Sequence, residues 1–319
     1  VKFLNALVYK NKQLNLMELP KPKPKEDEVL IKVLMAGICN TDLEITQGYL
    51  GFSGIIGHEF VGEVVHDPLR EFKGKRVVGS INISCNKCEY CQRGMYKHCK
   101  NLNQLGIRGS DGVFAEFTTL PRKNIHVVPE CIANQEAVFV EPMAAGVEIA
   151  EQIHIKPSEE VVVQGDGKLG LVTSMVLWTM GVNVRLIGKH QEKMDIVEEL
   201  GIPTCFPKEV ESKYEIIIEC TGSSDGLNIA QSLVKPTGTI VAKTTIKDMD
   251  SFDLSKLVVN EISIIGSRCG PFEPTLRFIE NNKFPFEKMI DGIYSLEEWE
   301  KAFKSAKHKE TLKVLFQIS

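Results

Sequence analysis

Over roughly the first 130 residues, apolar and polar positions alternate in short runs such as Val29, Ile31 and Val33, or Val61 to Val65, separated by Gly and Pro clusters. A period of two with frequent breaks predicts short strands in a barrel-like β domain. From about residue 142 the texture changes to continuous apolar runs alternating with helical periodicity. VVVQG at 161–165, NVRLI at 183–187, YEIIIEC at 214–220, GTIVAK at 238–243 and ISIIG at 262–266 read as strands, with helices over about 168–180, 191–200 and 225–234 between them. Strands apolar on both faces and separated by helices imply a doubly wound α/β domain with a parallel sheet. Two more helices, near 273–281 and 295–306, precede a last strand, LKVLFQI at 312–318. A lone closing strand needs a sheet to join, and the N-terminal β domain offers one. The expected organisation is therefore a discontinuous β domain, 1–141 plus 267–319, around a doubly wound domain at 142–266.

A chain of 319 residues has room for these two cores. Hydrophobic residues at 43% and charged residues at 25% fit a folded globular chain. A net charge of −4 without a dense Lys/Arg block gives little reason to bind nucleic acid, and the proline-interrupted KPKPK at 21–25 reads as an extended surface connection. No apolar run reaches the roughly 18–20 residues needed to span a bilayer, and VKFLNALVYK lacks the apolar core of a secretion signal. These features lead to the expectation of a cytoplasmic protein without a membrane partner.

Gly165, Asp166, Gly167, Lys168, Leu169 and Gly170 form a GxGxxG between the first strand of the doubly wound domain and its helix. There Gly165 permits a tight turn, Gly167 lets a phosphate approach the backbone, Gly170 allows close helix packing, and the helix start offers unpaired N–H groups. A glycine-rich turn without a ligand is the bland alternative. The strand before, the helix after and the further βα units favour dinucleotide binding in a Rossmann domain. Cofactor choice turns on the end of the second strand, where an acid would bond the adenosine ribose. This strand ends in Ile187, Gly188, Lys189 and His190, so no carboxylate stands there. Lys189 and His190 suit a 2′-phosphate, which favours NADP over NAD, unless both are merely solvated loop residues.

Four of nine cysteines, Cys85, Cys88, Cys91 and Cys99, lie within one short loop. Disulfide scaffolds belong to small secreted chains, whereas four thiolates at these spacings match a closed structural zinc site. An iron–sulfur cluster of the compact ferredoxin type would place its fourth cysteine sooner and follow it with proline, while Lys100 follows Cys99. A second constellation is dispersed: Cys39 in GICNTD, His58 and Glu59 in GHEFVG, and Glu141 in EPMAAG. Thiolate, imidazole and carboxylate are the donors of an open catalytic zinc site. Each residue singly has a plain structural explanation, and spacing alone leaves this set undecided.

Taken together, GICNTD, GHEFVG, the four-cysteine loop, EPMAAG and GDGKLG occur in an order that resembles the medium-chain zinc-dependent alcohol dehydrogenases, over essentially the whole chain. Glutamate in the EP context is most similar to the sorbitol, threonine and glucose dehydrogenase branch. The resemblance implies a GroES-like β-barrel catalytic domain beside the Rossmann domain, two zinc ions per chain, and a homodimer or homotetramer. It implies that Cys39, His58 and either Glu59 or Glu141 hold the catalytic zinc, that Thr41 passes the substrate proton, and that Asp42 orients His58. Asn40, Thr41 and Asp42 also make a helix N-cap cluster, which is a rival explanation for them. Where the family's proton relay often ends in a histidine, five residues past the cysteine ligand, this chain has Glu44. Near GSRCG at 266–270 the resemblance suggests backbone contacts from Gly266 and Ser267 to the nicotinamide amide, with an interdomain hinge as the alternative.

The implied activity is hydride transfer between an alcohol (simple, polyol or sugar) and NAD(P), with zinc as Lewis acid on the substrate oxygen. The expected partner is accordingly a small alcohol or carbonyl compound, bound in the cleft between the domains. Two rivals share the architecture: a zinc-free quinone or enone reductase, and a nucleotide-binding protein without turnover.

Overall fold

The computed structural model describes residues 3–245 and 251–319, which form two compact units, Val1–Glu141 with Phe286–Ser319 and Pro142–Pro285.

The first unit is built on a seven-stranded sheet whose centre is Glu28–Gly37. Val29, Ile31 and Val33 are fully buried, and Leu30 on the opposite face is buried as well, because this strand is covered on both sides. It pairs antiparallel with Glu59–His66, Phe117–Pro121 and the closing strand Lys313–Gln317. The closing strand thus joins the N-terminal sheet, at Met35 to Gly37, and pairs parallel with Ile290–Tyr294 on its other side. Ile290–Tyr294, sequence IDGIY, escapes a reading of the sequence because its run is short and holds a central glycine. Phe114 packs edge-on against Phe316 with centroids 5.1 Å apart, and Phe139 stacks on Phe286 at 4.4 Å, so the C-terminal segment shares the core of the N-terminal strands.

The second unit is a six-stranded, all-parallel sheet in the order Thr204–Cys205, Val184–Ile187, Val161–Gln164, Tyr214–Glu219, Val234–Ala242, Ser263–Gly266. The strand order reverses between Val161–Gln164 and Tyr214–Glu219, and in such sheets ligands bind beyond the carboxyl ends of the strands at that point. Helices Lys168–Thr179, Gln191–Glu198 and Gly226–Leu233 stand close to where the periodicity put them. Lys168–Thr179 is apolar almost all round, and its stretch from Gly170 to Leu177 is wholly buried, as a helix with no polar stripe has to be. The two-residue strand Thr204–Cys205 and the one-and-a-half-turn helix Leu254–Val259 are too short to leave a periodic signal.

The second unit runs on to Pro285, past the 266 boundary read from the sequence. Helix Phe272–Asn281 groups with it because the chain at Gly270 passes so close to Ala144 that a Cβ would collide with the Ala144 carbonyl. Among the described residues, no helix is long and apolar enough to cross a membrane.

Candidate metal centres and cofactor site

The loop carrying Cys85, Cys88, Cys91 and Cys99 holds all four sulfurs within 4.8 Å of one another. Cys88 Sγ lies 3.5 Å from Cys91 Sγ and 3.9 Å from Cys99 Sγ. Zn–S bonds of about 2.3 Å in a tetrahedron put sulfurs about 3.8 Å apart, so the four thiols fit a zinc ion as they stand. The short helix Glu89–Gln92, starting after Cys88, turns the chain back so that Cys88 and Cys91 face inward together. Lys123 anchors the loop from outside, donating from Nζ to Ser84 O at 2.6 Å and Asn86 Oδ1 at 2.8 Å. Backbone hydrogen bonding at Lys87 and Cys88 lowers the Cys85 thiol to about 6, while burial pushes Cys91 up to about 11. All nine cysteines are free of disulfides.

Cys39, His58 and Glu59 also bring their donor atoms within 4.8 Å of one another, and Glu141 is outside that cluster. Strand pairing explains the meeting. Gly37 lies opposite Glu59 in the register, so the end of Glu28–Gly37 delivers Cys39 beside the start of Glu59–His66. Two glycines make room. A Cβ on Gly37 would come within 2.9 Å of Glu59 Oε2, and one on Gly57, whose φ is +95°, would run into the Phe114 ring. Donor atoms bound to one zinc stand roughly 3.3–3.8 Å apart, so this set needs to close by only about an ångström to hold the ion.

Asp42, wholly buried, accepts from Cys39 N–H at 2.8 Å and from Gly57 N–H at 3.2 Å. It therefore caps the helix Asn40–Ile45, as the N-cap reading of the sequence expects, and ties the cysteine segment to the histidine segment. Its Oδ1 is 3.4 Å from His58 Nδ1, too far for a formed hydrogen bond but close enough to act by charge. Burial opposes protonation of His58, yet Asp42 and Cys39 outweigh it and raise its pKa well above the usual imidazole range. Thr41 Oγ1 stands 3.9 Å from Cys39 Sγ, and half-buried Glu44 lies one turn further along the same helix.

Lys313 is the residue beside this cluster that the sequence reading missed. Its Nζ pairs with Glu59 Oε2, both side chains being essentially inaccessible, and it lies 5.5 Å from the centroid of the Phe139 ring. Burial disfavours its charge, but Glu59, Cys39 and Glu141 raise its pKa above the ordinary lysine value. The signal available was one lysine inside the apolar strand LKVLFQI, where a cation survives burial only when paired.

In the second unit the strand Val161–Gln164 runs into Gly165, φ +113°, then Asp166, then Gly167 at the cap of helix Lys168–Thr179. A Cβ at Gly170 would overlap the Gly165 carbonyl, whereas one at Gly167 would meet nothing within 4 Å, which leaves that face of the turn open for a phosphate. Lys168 and Leu169, both half-buried, form the first turn of the helix. At the end of the second strand Asp166 Oδ2 accepts from Lys189 N–H at 2.6 Å, His190 N–H at 2.7 Å and His190 Nδ1 at 2.9 Å. The expectation of NADP rested on the absence of a carboxylate at the strand end and on Lys189 and His190 as phosphate partners. Asp166, from the glycine turn, places a carboxylate there and bonds the two amides and the imidazole. Farther along the sheet, Gly266 O accepts from Gln152 Nε2 at 3.2 Å, and buried Ser267 shares Lys243 Nζ, at 3.1 Å, with the Ala145 carbonyl.

Residues 25–130 match the model of the alcohol dehydrogenase GroES-like domain, and residues 135–318 match that of the glucose dehydrogenase C-terminus. A sorbitol dehydrogenase of Halalkalibacterium halodurans is 28% identical over 93% of this chain and 94% of its own. RspB of Escherichia coli CFT073, an alcohol dehydrogenase solved with NADH, superposes with a TM-score of 0.91 at 25% identity, with both chains covered in full. A putative zinc-binding dehydrogenase of Sinorhizobium meliloti bound to NADP gives 0.90 at 26% identity, over 99% of this chain and 100% of the other. With its GroES-like and cofactor-binding regions both matched and the metal-binding motifs in order, the chain belongs to the zinc-dependent medium-chain alcohol dehydrogenase family.

Proposed function

We propose that this protein oxidises a secondary hydroxyl of a polyol or sugar to a ketone, passing hydride to NAD(P)⁺ and a proton to solvent, and runs the reverse reduction when the carbonyl is in excess. The observation that carries this reading is the meeting of Cys39, His58 and Glu59 in a chain that also carries the open GDGKLG turn. The polyol class is supported by relatives such as the sorbitol dehydrogenase and a D-arabinitol dehydrogenase of Uromyces fabae, 26% identical over 98% of this chain and 96% of its own.

Two zinc ions per chain fit the donor sets: one on Cys85, Cys88, Cys91 and Cys99, one on Cys39, His58 and Glu59, with Glu141 close enough to Lys313 to share its charge. Cys39, His58 and Glu59 would hold a zinc ion, which would supply Lewis acidity toward the substrate oxygen, and a bound nicotinamide would supply the hydride acceptor. The chain's own residues do the rest. Cys39 as thiolate and Glu59 as carboxylate balance the charge of the ion, and Asp42 keeps His58 turned toward it. Thr41, beside Cys39, takes the hydroxyl proton at Oγ1 and hands on its own, with Glu44 as the acceptor farther along the helix. Lys313 holds Glu59 in place and offsets the negative charge gathered around it. Gly165, Gly167 and the first turn at Lys168 would hold the pyrophosphate, and Gly266 and Ser267 would supply backbone groups to the nicotinamide amide.

A homodimer or homotetramer is supported by the outer strand of the parallel sheet, Ser263–Gly266, where Ile264 is exposed, and by exposed Leu254, Val258 and Val259 on the helix just before it. Free cysteines suit a reducing compartment such as the cytoplasm.

The test is zinc content with activity on a panel of polyols. Two zinc ions per chain in the wild type, one in Cys39→Ser, and loss of polyol oxidation in that variant are expected. A single zinc in the wild type, or an active Cys39→Ser enzyme, would favour the zinc-free reductase.

A further inference from the structure

The turn after the second strand of the parallel sheet is built like an anion site whose anion is part of the chain. Val161–Gln164 and Val184–Ile187 are neighbours with Gln164 opposite Ile187, so the residues just past each strand end meet. On one side stands Asp166, and on the other Gly188, Lys189 and His190. Two successive backbone N–H groups and one imidazole nitrogen converge on a single oxygen, Asp166 Oδ2. Consecutive amides directed at one point are the usual cradle of a phosphate or carboxylate. Gly188 is fitted to this occupant: a Cβ there would lie 2.8 Å from Asp166 Cβ and 2.9 Å from Oδ2. Asp166 is 8% exposed, and its Oδ1 takes no protein donor among the described residues. Burial opposes its ionisation, yet the amides of His190 and Lys189 and the imidazole hold its carboxyl below the ordinary aspartate value.

We propose that Asp166 is the coenzyme-selecting residue and that it selects NAD over NADP. It does from the glycine turn what an acid on the second strand does in other dinucleotide-binding folds. Oδ1 accepts the adenosine ribose 2′-hydroxyl, while Oδ2 occupies the donors that a 2′-phosphate would need. A 2′-phosphate would meet both a fixed negative charge and a set of N–H groups already bonded. Lys189 and His190 remain at the same turn, so removal of the Asp166 charge uncovers a basic phosphate site rather than an empty surface. The inference rests on the reading of GDGKLG as the dinucleotide turn.

Binding is measured on the zinc-loaded protein by fluorescence titration with NADH and NADPH, without turnover. Wild type is expected to bind NADH about a hundredfold more tightly than NADPH, Asp166→Asn to narrow that ratio by about tenfold, and Asp166→Ser to bring it to unity or reverse it. As a probe that needs no variant, 5′-AMP should displace NADH from the wild type, and adenosine 2′,5′-bisphosphate should do so at least about tenfold less well. Equal or tighter binding of NADPH by the wild type, or equal loss of both coenzymes in folded Asp166→Asn, overturns the selector. Failure of the wild type to bind either coenzyme overturns the dinucleotide reading, and the selector with it.

Discussion

The two candidate metal clusters of the first unit offer the same kind of pocket by opposite routes. In the four-cysteine loop, every donor falls between Cys85 and Cys99, and one turn of helix plus an anchoring lysine brings the sulfurs together. In the Cys39 cluster, two neighbouring strands deliver the donors, Asp42 ties their segments together, and Lys313 arrives from 254 residues away to hold Glu59. A local cluster can be formed by the metal itself, since the ion closes only a short loop. A dispersed cluster exists only once the sheet has formed, so the fold bears the cost of assembling it. The difference teaches that loss of metal should be felt in stability at the first site and in chemistry at the second.

That contrast can be broken experimentally. Cys39→Ser should lower activity by about a thousandfold or more, as expected when Lewis-acid stabilisation worth several kcal/mol disappears, while shifting the melting temperature by only a few degrees. A large drop in Tm with activity retained would reverse the assignment of the two sites. Cys88→Ser should do the opposite, costing on the order of several kcal/mol and lowering Tm by about 10 °C, with kcat of the remaining folded enzyme near wild type. Calorimetry and metal analysis on the same samples decide it.

Lys313→Met sharpens the comparison, because it takes the buried counter-charge away from Glu59 in the metal-free protein. The cost there is about 3–5 kcal/mol, and zinc should recover much of it, so that added zinc raises Tm more in this variant than in the wild type. An equal zinc response in both proteins would show that Lys313 and the metal do not share Glu59. Asp42→Asn should weaken zinc binding at the second site by about 10–100-fold, read by chelator competition, and leave the four-cysteine site untouched.

The smallest effect concerns pH. Asp166 has its pKa lowered below 3.8 in the folded chain, so its contribution to stability is present above that value and is lost as pH falls through the folded pKa. The Tm difference between wild type and Asp166→Asn should be constant near neutrality and close in the acid range. A gap that widens on acidification would mean that the carboxyl is not bonded as an anion.

Residues close in sequence were legible for a physical reason: their chemistry depends on a few backbone angles. The cysteine spacing, the Gly165 turn with its positive φ, and the alternation of apolar strands with helices all belong to this class. The four motifs GICNTD, GHEFVG, EPMAAG and GDGKLG carried the family as well. Short elements such as Thr204–Cys205 and Ile290–Tyr294 were not legible, since two to five residues hold too little periodicity to separate strand from loop.

What the amino-acid order determined by itself is the doubly wound sheet, the closed cysteine loop and the roster of acids and imidazoles from which a site could be made. Only the tertiary structure brought Glu59 within reach of Cys39 and His58, paired it with Lys313, and set Asp166 in the turn at Lys189 and His190. Each of those outcomes is a pairing of charges or of donor and acceptor across neighbouring strands. Such a pairing depends on strand register and burial, and neither is fixed until the whole sheet has closed.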